Sequence, residues 1–155
     1  MIINPMSVAI EEAKNGITLK HGGPFGAVVV YDNNIIGRGH NKAVLSNDPT
    51  AHAEIEALRD ACKFINSFDL TGGVLYTTCY PCPMCLGAIL WARISKVYFC
   101  LTSTRAKELG FDDHLFYEVF RDKERIEQIL IHQHDDLNEC ESLFEQYAKS
   151  QYIKY

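Results

Sequence analysis

His52 and Glu54 stand two residues apart, and Cys82 and Cys85 stand three apart inside Pro81-Cys-Pro-Met-Cys85. One imidazole and two thiolates form a ligand set of suitable softness for zinc. Three protein ligands leave a fourth position for water, which marks a catalytic site rather than a closed structural one. The three-residue spacing lets both cysteines face one point at a helix start. Helix N-termini also favour thiolates through the backbone dipole. Glu54 is read as a proton carrier, not a ligand, because a carboxylate beside activated water takes its proton and hands it on. The competing reading is a closed structural zinc site with Cys79 as fourth ligand and Glu54 as a solvated helix residue.

These side chains need elements to carry them. Residues 5–20 place Met6, Ile10, Ala13 and Ile17 at helical spacing behind Pro5. Phe25 to Tyr31 is an apolar, β-branched run, Asp32-Asn33-Asn34 is turn chemistry, and Ile35-Ile36 resumes the apolar pattern, which together predict a hairpin. Residues 41–50 read as polar loop. A helix is expected from Ala51 to about Phe64, a strand over 74–78, a helix over 83–93 and a strand over 96–101. Beyond Gly110 the pattern weakens, with a strand expected over 126–134 and a helix over 140–150. Strands alternating with helices imply a three-layer α/β fold with parallel crossovers.

The 155 residues suit one domain, and 47% apolar with 23% charged residues is ordinary globular composition. The formal net charge of −5 disfavours non-specific nucleic-acid binding. The charge is uneven: residues 1–109 hold ten basic and nine acidic side chains, residues 110–155 five and eleven. Three of the six cysteines fall between Cys79 and Cys85, a spacing poor for disulfides. Met1-Ile-Ile-Asn-Pro5 lacks a basic leader and no apolar run reaches membrane-spanning length, so a reducing cytoplasmic setting without membrane partners is expected.

The spacing H-x-E followed by P-C-x-x-C is the general signature of zinc deaminases. Gly22-Gly-Pro-Phe-Gly-Ala-Val-Val-Val30, Ser46-Asn-Asp-Pro-Thr-Ala-His-Ala-Glu54, Cys82-Pro-Met-Cys-Leu-Gly-Ala-Ile89 and Trp91-Ala-Arg93 together resemble the cytidine deaminase-like superfamily. Gly110-Phe-Asp-Asp113 and the end at Tyr155 resemble its short bacterial guanine deaminases. The resemblance implies a five-stranded mixed sheet in an α/β/α sandwich, with one zinc per subunit on His52, Cys82 and Cys85. It implies hydrolysis of guanine to xanthine and ammonia by zinc-activated hydroxide, with Glu54 as proton shuttle. It also implies a homodimer exchanging a C-terminal segment of about 110–155, which would put Asp113 near the partner's pocket. Asn41, the backbone N–H of Ala53, Phe25, Trp91, Asp113 and Tyr155 are its implied substrate contacts. Tyr80 departs from the pattern, standing where these enzymes usually carry Glu before Pro-Cys, and so bears on base specificity.

Several features have plainer readings. Asn41 also suits a loop cap, Trp91 a packing residue, and Cys62, Cys79, Cys100 and Cys140 reduced packing thiols. His132 and His134 would share one strand face. Cytosine-like bases and adenosine in tRNA are the alternative substrates of the same chemistry.

Overall fold

The computed structural model describes residues 4–130, 138–151 and 153. Asn4 opens the first helix by accepting a hydrogen bond from the Met6 N–H at 3.0 Å. Pro5 follows at a position where its missing N–H costs nothing. Helix α1 (Pro5–Thr18) leads to β1 (Gly26–Tyr31) and β2 (Asn34–His40). The turn between these strands holds Asp32 and Asn33 at φ 46° and 60°, the left-handed pair that a two-residue hairpin turn demands. Next come α2 (Ala43–Ser46), α3 (Ala53–Ile65), β3 (Val74–Cys79), α4 (Pro83–Trp91) and β4 (Lys96–Leu101). The remaining helices are α5 (Ser103–Glu108), α6 (His114–Arg121), α7 (Lys123–Ile129) and α8 (Asn138–Lys149).

The chain divides into two compact units, one reaching Glu118 and the other starting at Val119. The first holds a mixed sheet in the order β2-β1-β3-β4. Strand β1 is antiparallel to β2 and β3, and β4 runs parallel to β3 after the α4 crossover. Alternation along β1 sends Val28 to one face, where Val8 and Ala9 of α1 cover it. Ala27 and Val29 go to the other face, against Ala53, Ala57 and Ala61 of α3 and Ile89 of α4. The sandwich is therefore three-layered, as the alternating pattern predicts.

Close approach of α3 to the sheet is written in small residues. A Cβ on Gly37 would lie 2.3 Å from the Ala57 carbonyl oxygen, and one on Gly39 would lie 2.5 Å from that of Ala53. The helix that starts at the candidate site thus sits as near β2 as backbone allows. Leu70 and Leu75 are fully buried behind it, where truncation to alanine typically costs about 2–5 kcal/mol.

Among the described residues the sheet has four strands rather than five. The strand expected over 126–134 begins instead as helix α7. Asp122 accepts from the Glu124 N–H at 3.0 Å and starts that helix. Ile126 and Ile129, three apart, share one face of a helix but would fall on opposite faces of a strand. The rest of that expected strand, with His132 and His134, lies outside the described residues. The polar stretch 41–50 contains the short α2, which Asn47 closes in the left-handed region at φ 49°. In the second unit, Tyr147 of α8 donates to the Ile153 carbonyl at 2.7 Å, tying down the chain beyond the helix.

Candidate metal centre and base pocket

His52 and Cys82 are the N-cap residues of α3 and α4, both in extended backbone conformation, and neither uses its side chain to cap its helix. Their side chains are turned toward one another instead. His52 Nδ1 lies 3.5 Å from Cys82 Sγ and 3.5 Å from Cys85 Sγ. Zinc bonds of about 2.3 Å to sulfur and 2.0–2.1 Å to nitrogen at tetrahedral angles set an N···S edge of about 3.6 Å. The three ligand atoms lie within 4.8 Å of one another, so the trio fits such an ion.

Electrostatics agree with the chemistry of the set. The neighbouring Cys85 thiol is the main cause that pulls the Cys82 pKa down to about 4, with burial opposing and the His52 ring assisting. Cys85 is pushed up, first by its hydrogen bond to Cys82 and then by burial. His52 is raised, chiefly by its bond to Cys82. A metal-free pocket therefore favours a thiolate on Cys82 beside a protonated Cys85, whose proton a divalent cation would displace.

Glu54 sits behind the trio in the first turn of α3 and is only 5% exposed. Its carboxylate accepts from the Thr77 hydroxyl at 3.1 Å, and Cys85 Sγ lies 3.5 Å from its other oxygen. Burial raises its pKa, resisted by its own backbone N–H and by Thr77. A carboxyl raised above its ordinary range by burial beside a metal corner suits proton transfer in both directions. Cys79 does not join the set: among the described residues the metal-holding group is His52, Cys82 and Cys85. Burial holds the Cys79 thiol up at about 11, and so protonated. The closed four-ligand reading finds no fourth ligand there.

The model of the cytidine and deoxycytidylate deaminase zinc-binding region matches residues 3–101. The chain belongs to this family.

Within the deaminase family, the guanine deaminase of Bacillus subtilis (strain 168) is 51% identical over 110 residues, 71% of this chain and 70% of that protein. The crystal structure of a guanine deaminase from Bacillus subtilis superposes with a TM-score of 0.89 at 40% identity, covering 99% of both chains. A tRNA-specific adenosine deaminase of Buchnera aphidicola (Schizaphis graminum) is 35% identical over 127 residues, 82% of this chain and 81% of that protein.

The other predicted residues fall into three groups. Ala53 follows the ligand His52 directly and Asp113 acts electrostatically on that histidine, while Phe25 and Asn41 meet each other at the strand ends. The Asn41 N–H donates to the Phe25 carbonyl at 3.0 Å, so the entrance to β1 and the exit from β2 meet. The Asn41 side-chain oxygen accepts from the Ala43 N–H at 3.1 Å, and a Cβ on Gly22 would lie 2.0 Å from it. The loop-cap reading of Asn41 is thus realised, and its amide nitrogen is the group left to donate. Ala53 is fully buried at the first position of α3, where backbone N–H groups lack intrahelical partners. Burial raises the Asp113 pKa, its own N–H opposes, and the Cys82 charge adds to the rise. Asp113 in turn raises His52 and Cys79, so it stands beside its own chain's site.

Trp91 is not brought to the trio. It ends α4, nine residues on from Cys82, and is 68% exposed. At 1.5 Å per helical residue that is about 13 Å away. Tyr155 lies outside the described residues.

Three contributors were missed by sequence reasoning. Thr77 is fully buried; on the inward face of β3 with Leu75 and Cys79, its polarity was the available signal. Glu12 accepts from His40 Nδ1 at 3.2 Å, which leaves His40 Nε2, 2.9 Å from His21 Nδ1, as the acceptor of a second bond. This relay braces the loop before Asn41, but its members are far apart in sequence. The third, Tyr117, is taken up below.

Proposed function

We infer that this protein is a zinc-dependent aminohydrolase that converts guanine and water to xanthine and ammonia. The observation that carries the reading is a buried Glu54 carboxylate, held by Thr77, directly behind a three-ligand His-Cys-Cys corner. The 99% two-way match to a Bacillus subtilis guanine deaminase structure supports guanine as the base. Adenosine in tRNA is the alternative that the tRNA-specific relatives keep open, and a cytosine-like base is the second.

Bound at His52, Cys82 and Cys85, zinc supplies a Lewis acid that makes water nucleophilic near neutral pH. Glu54 takes a proton from the attacking water and delivers it to the ring nitrogen beside the amino-bearing carbon. It then takes the proton of the newly added hydroxyl and passes it to the amine, which leaves as ammonia while the carbonyl forms. Asn41 donates to a base acceptor through its amide nitrogen, and the Ala53 N–H does the same from the helix start. Asp113 accepts from the N–H donors that guanine presents and cytosine arranges differently. Phe25, packed edge-on to Phe111 with centroids 5.2 Å apart, walls the pocket.

We read residues 1–155 as one deaminase domain acting as a homodimer in the cytoplasm. Only the part of the C-terminal segment beyond Glu118 is exchanged between subunits on this reading, because Asp113 and Tyr117 engage their own chain. Strand β4 supports this. Among the described residues it pairs only with β3, and Tyr98 and Phe99, on opposite faces, are each about two-fifths exposed. A fifth strand, brought by the exchanged segment, would cover that edge.

Ammonia release from guanine, cytosine and an adenosine-containing tRNA anticodon arm by zinc-replete protein tests the substrate. Guanine is expected to turn over at least a hundredfold faster than the others. Faster deamination of the RNA would reverse the assignment.

A further inference from the structure

The segment that carries Asp113 is fastened at several points, and only one reaches the metal loop itself. Phe111 packs on Phe25. Asp112 accepts from the His114 N–H at 3.0 Å and pairs with Lys107 at 3.5 Å, both on the surface. Tyr117 is different. Its hydroxyl donates to the Pro81 carbonyl, and Pro81 is the fully buried residue directly before the ligand Cys82.

Position decides what that bond does. Tyr117 follows Asp113 by four residues, one helical turn, so the two share a side of α6. The Phe116 N–H donates to the Asp113 carbonyl at 3.0 Å, which makes Asp113 part of the helix start. A tether at Tyr117 therefore fixes Asp113 one turn away as a rigid unit. Its other end is equally firm. The Tyr80 N–H donates to the Leu101 carbonyl at 2.8 Å. The Tyr80 ring meets Phe99 edge-on at 5.0 Å and lies 6.2 Å from the Tyr117 ring. The aromatic residue that replaces the usual Glu thus forms the seat on which Tyr117 rests, where a carboxylate would offer no ring face.

We propose that Tyr117 is a positioning residue: its hydroxyl, held on Pro81 over the Tyr80–Phe99 seat, fixes Asp113 against the base pocket and so sets affinity for the substrate. The proposal rests on the reading of Asp113 as a base contact. It assigns Tyr117 no contact with substrate and no share in holding metal.

Tyr117→Phe keeps the ring on its seat and removes only the tether. Three measurements on the full-length, zinc-replete protein test it. Amide exchange over residues 110–117 is expected to rise about fivefold while α4 keeps its protection. The KM for guanine is expected to rise about tenfold with kcat within about twofold, the worth of one part-buried hydrogen bond. In an Asp113→Asn background the KM effect of Tyr117→Phe is expected to vanish, since it acts through that carboxylate. Unchanged exchange would overturn the tether. Lost zinc would make Tyr117 a support of the metal loop instead, and additive KM effects would remove Asp113 from the route. A wild-type protein inactive on guanine would defeat the functional reading alone, because the exchange measurement needs no substrate.

Discussion

The metal corner and the Asp113 segment are built in opposite ways. His52, Glu54, Cys82 and Cys85 sit on two helix starts pressed onto a sheet, with glycines allowing backbone contact behind them. Asp113 sits on a short helix start fastened by a surface ion pair, one ring contact and one part-buried hydroxyl. Chemistry that must not move is placed on the rigid element. Recognition, on the reading of Asp113 as a base contact, falls to the element that opens at lower cost.

Substitutions on each side would sharpen or break that contrast. The largest effect is expected for Cys85→Ser, which leaves two ligands. Zinc content by mass spectrometry should fall from one per chain toward none, with activity lost alongside. Glu54→Gln should keep its zinc and lower kcat about a thousandfold, the range of a lost general acid–base. If zinc is lost as well, the separation between ligands and shuttle fails.

Zinc affinity should rise with pH in a bent line. Binding displaces the Cys85 proton, raised in the free pocket, and below the raised His52 pKa it displaces that proton too. Competition titrations should show about a hundredfold gain per pH unit on the acid side of that pKa and about tenfold beyond it. A flat profile would mean the ligands are already deprotonated. Thr77→Val should lower kcat about tenfold through loss of one buried hydrogen bond, and Thr77→Ser should restore it. The smallest effect belongs to the outer segment. Lys107→Ala breaks an ion pair whose side chains are each about half-exposed, so kcat/KM should stay within about twofold.

The metal corner was legible in the sequence because its four residues fall in two short stretches with fixed spacing. The hairpin, α1, α3, α4, β3 and β4 were legible from their apolar runs and the turn residues that separate them. What was missed depends on contacts between distant segments. The Thr77–Glu54 bond spans 23 residues and the Tyr117–Pro81 bond spans 36. No local pattern marks either partner. The strand expected over 126–134 failed at its start because Ile126 and Ile129, three apart, follow the helical period and the Asp122 cap starts a helix ahead of them. Asn41 was read as offering donor and acceptor together, whereas the Ala43 N–H already occupies its oxygen.

His52 and Cys82 lie 30 residues apart, and each begins a helix without capping it. One ion shared between them would close that stretch of chain into a ring. Closing a ring of this length removes freedom from the unfolded chain, as a disulfide does, by about 3–4 kcal/mol. It would also take over, for two helices at once, the stabilising task that a cap residue performs singly. Metal supply would then govern how long a newly made chain survives as well as whether it turns over substrate. Loading and maturation of this protein would be one event.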